Sequence, residues 1–235
     1  MVDLKSLPRR DLEAMAAAAD QILECYRVLR KTDDNIVGEV LRGHGTFYEW
    51  DHYPPGDVYD QETHAQYYYH AHPVEDRGGE HGHFHTFLRA RGMPKGVRPA
   101  PLPDYRPPKD KSELLSHLVA ISMNRAGYPI RLFTTNRWVT GEVWYPADDV
   151  IRMLDRFEID HARPSWPTNR WITNMLRLFR PHITELVRER DRAVQQWIEK
   201  HPDENVYEDR RFEIASMAKI SVEAQIEAVT AALRP

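Results

Sequence analysis

Two short runs constrain the fold more than anything else in the chain: Gln66-Tyr67-Tyr68-Tyr69-His70-Ala71-His72 and His83-Phe84-His85-Thr86-Phe87-Leu88. Both are rich in aromatic and β-favouring residues, and Gly78-Gly79 lies between them, so they read as two strands of a hairpin with a long loop. Side chains alternate between the faces of a strand, so His70 and His72 share a face, as do His83 and His85. Two registers put all four imidazoles on one side: His72 opposite His83, or His72 opposite His81. A slip of one residue carries one doublet to the reverse side. In either favourable register opposed Cβ atoms lie roughly 4.5–5.5 Å apart, close enough for several imidazole nitrogens to converge on one ion at about 2.0–2.1 Å.

Eight of the twelve histidines fall between His44 and His85, which sets the ligand chemistry. Imidazole suits iron, copper, zinc and nickel, and the shortage of thiolate and carboxylate disfavours clusters and calcium. The expected ligands are His70, His72, His83 and His85. His81 is in phase with His83 and can replace one of them, and His64 shares the parity of His70. His117, on the helix face defined by Leu114, Leu118 and Ile121, either descends onto the sheet as a further ligand or is a hydrogen-bonded core residue. Tyr68 joins the His70 face and either packs or donates to a metal-bound oxygen. One of Asp57, Asp60, Glu62, Glu75, Asp76 and Glu80 is expected to orient a ligand histidine through its second ring nitrogen. His44, His52, His161, His182 and His201 carry no spacing argument.

The rest of the chain reads as an α+β fold: a small antiparallel sheet with the His-rich hairpin, packed by several helices, and a mostly helical C-terminal half. Leu12, Met15, Ala19, Ile22, Leu23, Tyr26 and Leu29 recur at helical spacing and predict an amphipathic helix over 11–29. Residues 35–50, interrupted by Gly38, Gly43 and Gly45, fit neither period, and 50–60, with Pro54-Pro55-Gly56, reads as a loop. The prolines of 91–111 describe an extended connector, a candidate lid or linker. Ser112 is a candidate cap for a helix reaching Asn124, 129–135 a short strand, and 147–157, 168–179, 181–200 and 210–233 helices. One domain over 1–235 is expected, with a possible division into a His-rich sheet region (1–110) and a helical region (111–235).

The motif Thr135-Asn136-Arg137-Trp138 recurs as Thr168-Asn169-Arg170-Trp171, 33 residues on. It reads as a capped first turn with a Trp anchor, Arg137 alternatively serving an anionic substrate near the hairpin.

Bulk properties narrow the partners. At 235 residues, 41% hydrophobic and 29% charged, the chain can bury a substantial core. A net charge of -4 gives no overall attraction to polyphosphate, so nucleic acid is not the expected partner. A single cysteine, Cys25, excludes an intramolecular disulfide and any cysteine-only metal site within one chain. No signal-peptide core or long apolar run is present, so no membrane partner and a cytoplasmic location are expected.

Three resemblances follow from the motifs. His70-x-His72 followed by Glu75 resembles part of the cupin metal signature, which pairs histidines on one strand with a nearby carboxylate. His83-Phe84-His85 is similar to the His-hydrophobe-His motif of single-strand endonucleases that form a phosphotyrosine intermediate, for which Tyr128 and Tyr207 are the downstream tyrosines to consider. The set Tyr-Tyr-His-x-His, Gly-His-Phe-His and Thr-Thr-Asn-Arg-Trp resembles a bacterial family of unknown function, which implies no chemistry. The functional expectation is a mononuclear metal-dependent enzyme, an oxidoreductase with histidine-ligated iron or copper (or zinc) acting on a small molecule. The alternatives are a noncatalytic protein that stores, senses or delivers metal, and a metal-dependent single-strand endonuclease.

Overall fold

A computed structural model describes residues 2–73, 79–102, 105–106, 108–110 and 113–234. Six strands, β1 (Tyr53–Tyr59), β2 (Ala65–His70), β3 (Gly82–Arg89), β4 (Leu115–Met123), β5 (Pro129–Thr135) and β6 (Ile214–Lys219), form one antiparallel sheet in sequential order. The described α-helices are α1 (Arg9–Leu29), α2 (Ile36–Leu41), α3 (Arg137–Thr140), α4 (Ala147–Leu154), α5 (Trp166–Leu178), α6 (Arg180–Lys200) and α7 (Val222–Leu233). The fold is α+β with a helical C-terminal half, as the patterning predicts, and α3 to α6 are inserted between two adjacent strands, β5 and β6.

Pairing shows which face is which. Tyr67, Thr86, Val119 and their row-mates Phe84, Ile121, Leu132 and Ala218 share one side of the sheet. That side packs on helices: Phe84 lies 5.6 Å from the Trp171 ring, the Tyr67 hydroxyl donates to Asn169 Oδ1 at 2.6 Å, and Ser216 donates to the Leu186 carbonyl of α6. The main core forms here, joined by Leu12, Met15, Ile22 and Leu29 of α1. The opposite side carries two cross-strand rows, Tyr68–His85–Ala120–Phe133–Met217 and His70–His83–Ser122–Arg131–Lys219. The histidines therefore sit on the face turned away from α1, α5 and α6.

Several local expectations are corrected. The residues after Ser112 form β4 rather than a helix. The run Leu-Ser-His-Leu-Val-Ala-Ile-Ser-Met is buried on both faces, which removes the alternation that distinguishes a strand from a helix. Ser112 itself, as a cap, lies outside the described residues. Residues 210–233 break into β6 and α7, with Ser221 capping α7 by accepting from Ala224 N. The expected loop at 50–60 contains β1, which keeps two prolines because it is an edge strand with a pairing irregularity between Tyr53 and Val58. The ambiguous 35–50 stretch opens with α2, capped by Asn35 accepting from Val37 N and Gly38 N.

The repeated motif is structural in both copies. Asn136 caps α3, whereas α5 is capped by Ser165, and its Trp171 is fully buried. Arg137 is paired with Glu208 and lies over Tyr105, so it does not serve a substrate at the hairpin. The described part of the Pro-rich connector is tied down, Ala100 N donating to Trp144 O and Arg98 N to Asp149. Its remaining members Pro103, Asp104, Pro107 and Lys111 lie outside the described residues.

Candidate metal centre

The hairpin adopts the second of the two expected registers: His70 pairs with His83 and Tyr68 with His85. His72 and His81 lie just beyond the paired residues. His70, His72 and His83 each turn a ring nitrogen inward, and the three atoms lie within 4.8 Å of one another. The Nε2 atoms of His70 and His83 are 2.7 Å apart. Without an ion, one of these rings donates to the other. Two nitrogens on a tetrahedral ion sit about 3.3 Å apart, so loading asks the rings to part by only about 0.6 Å. These three histidines can hold a transition-metal ion.

His83 is the best prepared of the three. Its Nδ1–H donates at 2.6 Å to Glu80 Oε1, and both side chains are almost completely buried. That bond places the proton on Nδ1 and leaves the Nε2 lone pair facing the cluster, the carboxylate–histidine arrangement that orients metal-binding imidazoles. Arg131, its Nη2 3.4 Å from the other Glu80 oxygen, compensates the buried charge. Of the carboxylates considered from sequence, Glu80 takes the orienting role. Asp57 instead bonds His52 Nδ1 at 3.0 Å and accepts from Gln66, Asp60 accepts from the backbone of Glu62, Thr63 and Asp160, and Glu75 and Asp76 lie outside the described residues.

His85 lies beside the trio, 4.8 Å from the His83 ring centroid and 5.3 Å from that of His70, but its Nδ1 is 3.0 Å from His117 Nε2. His117 reaches this face through a β-bulge. Regular pairing would turn it toward the helices with Val119 and Ile121, and the register shift after Thr86 sets it opposite Phe87 instead. Burial holds the His117 imidazole down at about 3, so the ring is neutral. His117 thus joins the cluster from a strand rather than a helix, as a partner of His85. Its backbone N–H donates to Glu142, whose buried carboxyl is pushed up to about 7 by desolvation.

Other candidates go elsewhere. His81 is not in the cluster: its Nδ1 accepts from the Tyr69 hydroxyl at 2.7 Å and its ring stacks on Phe47, because the chain leaves the strand before Gly82 and the alternation ends there. His64 accepts from the Tyr59 hydroxyl. Tyr68 packs: its ring is stacked on Phe87 and on His52, the latter centroids 3.6 Å apart, and burial raises its hydroxyl well above the usual tyrosine range. Sequence spacing had no signal for His52. Cys25 is buried in α1 with its thiol pushed up to about 11 by desolvation, an inert core group. Tyr128 packs on Tyr26 and accepts from Arg30, and Tyr207 packs on Trp144, so the two downstream tyrosines are engaged with other elements.

No described helix is long and apolar enough to cross a membrane. No curated protein and no solved structure matches the chain. The cupin and endonuclease resemblances gain no support from these comparisons. A family model described as a domain of unknown function (DUF6969) matches residues 16–220, and the chain belongs to that family.

Proposed function

We propose that the protein is a mononuclear metal-dependent enzyme in which His70, His72 and His83 hold one transition-metal ion, His85 lies in reserve as a fourth imidazole, and iron or copper supports oxidoreductase chemistry on a small molecule. The observation that carries the metal reading is the buried Glu80–His83 hydrogen bond, which presents a lone pair to two converging imidazoles. The preference for redox over hydrolytic chemistry rests on the donor set. Glu80 is occupied by His83 and Arg131, so it is poorly placed to act as a general base toward a metal-activated water. A carrier is the second reading, favoured by the half-buried state of His70 and His72, which leaves a side from which an ion can exchange.

Metal analysis of protein expressed without an affinity tag tests this directly. About one equivalent of iron or copper is expected, with His83→Ala empty and Glu80→Gln weakened by about 10- to 100-fold through loss of the orienting partner. Failure of any divalent metal to bind sinks the reading, and one equivalent of colourless zinc removes its redox part. Stripping by a chelator within seconds, with the fold intact, favours the carrier.

A further inference from the structure

The segment between α2 and β1 contains an arrangement that the metal site alone does not explain. Phe47 stacks on Tyr53 and on His81, and the Tyr53 hydroxyl both accepts from Tyr48 N at 2.7 Å and donates to Tyr48 O. At its other end, His52 is stacked on Tyr68 and bonded to Asp57. Between these anchors Trp50 adopts φ +72°, a left-handed conformation that a bulky side chain rarely takes. Its N–H donates to the carbonyl of Ala71, the residue between His70 and His72. The result is an indole that is 58% exposed yet fixed edge-on against the ring of His72, centroids 4.3 Å apart.

Trp is normally buried for most of its area, and backbone strain persists only where the surroundings over-determine it. Here clamped ends and a hydrogen bond to the backbone between His70 and His72 hold an aromatic surface out of the core and beside the half-buried His72. A ligand set of neutral imidazoles leaves the ion's charge uncompensated, which favours anionic oxygen donors on the incoming molecule. A fixed indole beside it favours a planar ring.

We infer that Trp50 is a stacking platform that selects planar aromatic ligands bearing anionic oxygen donors, such as phenolates and catecholates, for the ion held by His70, His72 and His83. The inference rests on the metal reading and deepens it.

Titration of the metal-loaded protein with two chelating probes separates the two ideas. 4-Nitrocatechol is planar and aromatic, whereas acetohydroxamate offers oxygen donors without a ring. Wild type is expected to bind nitrocatechol with its absorbance band shifted. Trp50→Ala should weaken nitrocatechol at least tenfold while leaving acetohydroxamate and metal content unchanged, and Trp50→Phe should restore most of the loss. Equal affinity of Trp50→Ala and wild type for nitrocatechol overturns the platform with the metal site intact, as does a parallel loss of both probes. Absence of metal uptake by wild type overturns the metal reading and the platform with it.

Discussion

His83 and His85 are held through Nδ1 by different partners. Glu80 fixes the tautomer of His83, and His117 contacts His85 Nδ1. His117 also carries a pH signature. The unfolded imidazole binds a proton near pH 6.5, whereas the buried one resists protonation down to about 3, so the unfolded state holds the extra proton between these values. Its contribution to stability is complete above pH 6.5 and is lost as pH falls toward 3, at up to about 1.4 kcal/mol per pH unit. Glu142, raised to about 7 from its ordinary 4.5, acts in the opposite sense: its native form keeps a proton the unfolded chain has released, so stability declines as pH rises from 4.5 to 7. The two oppose each other between pH 4.5 and 6.5; below 4.5 only His117 of the pair still responds, alongside Asp60 and Asp209, whose lowered carboxyl pKa values act in the same direction and are common to wild type and a His117 variant. Urea midpoints of metal-free protein should therefore fall more steeply from pH 4.5 to 3.5 in wild type than in His117→Gln. Equal slopes would show that His117 is not held neutral.

At the scale of elements, one irregularity and one close approach build the site. One is the bulge that turns His117 onto the histidine face. The other is Gly82, the first residue of β3, where an added Cβ would stand 2.5 Å from the Tyr69 hydroxyl and 2.6 Å from the His70 carbonyl oxygen. Neither neighbour is the free end of a flexible chain: one is backbone and the other is held by His81. Gly82→Ala should therefore push β2 from β3 at His70, cost roughly 1–3 kcal/mol as overpacking does, and lower metal affinity. Chemical denaturation beside metal titration reads both effects, and a variant of wild-type stability and affinity would mean the close approach relaxes without consequence. The same scale explains the misread elements. Neither β4, buried on both sides, nor the short Ala- and Met-containing β6 displays a two-residue period, and each takes its conformation from the strand beside it.

For the molecule as a whole, the helices divide the sheet into a structural face and a chemical one. Trp171 of α5 joins them on the structural side: it is fully buried, meets Phe84 of β3 and donates from its indole N–H to the Tyr26 hydroxyl of α1 at 3.0 Å. Phe84 lies between His83 and His85 in sequence, so this packing seats the strand that carries both. Trp171→Ala should cost about 3–5 kcal/mol through cavity formation and loss of the Tyr26 partner. Thermal unfolding measures it, with a loss below about 1 kcal/mol counting against a rigid contact there. Trp50→Ala, on the other face and exposed, should be close to neutral in the same assay.

What the residues alone determined is local and periodic. The two-residue repeat fixed His70 with His72 and His83 with His85 and restricted the hairpin to two useful registers, while the 3.6-residue pattern marked α1 and Pro146, Pro167 and Pro181 marked the starts of later helices. Choosing between the registers, discarding His81, recruiting His117 through a bulge, selecting Glu80 from six carboxylates and bringing Trp50 and His52 to the hairpin all required the folded chain. These depend on contacts between segments far apart in sequence or on breaks in periodicity, and a repeat pattern carries information about neither.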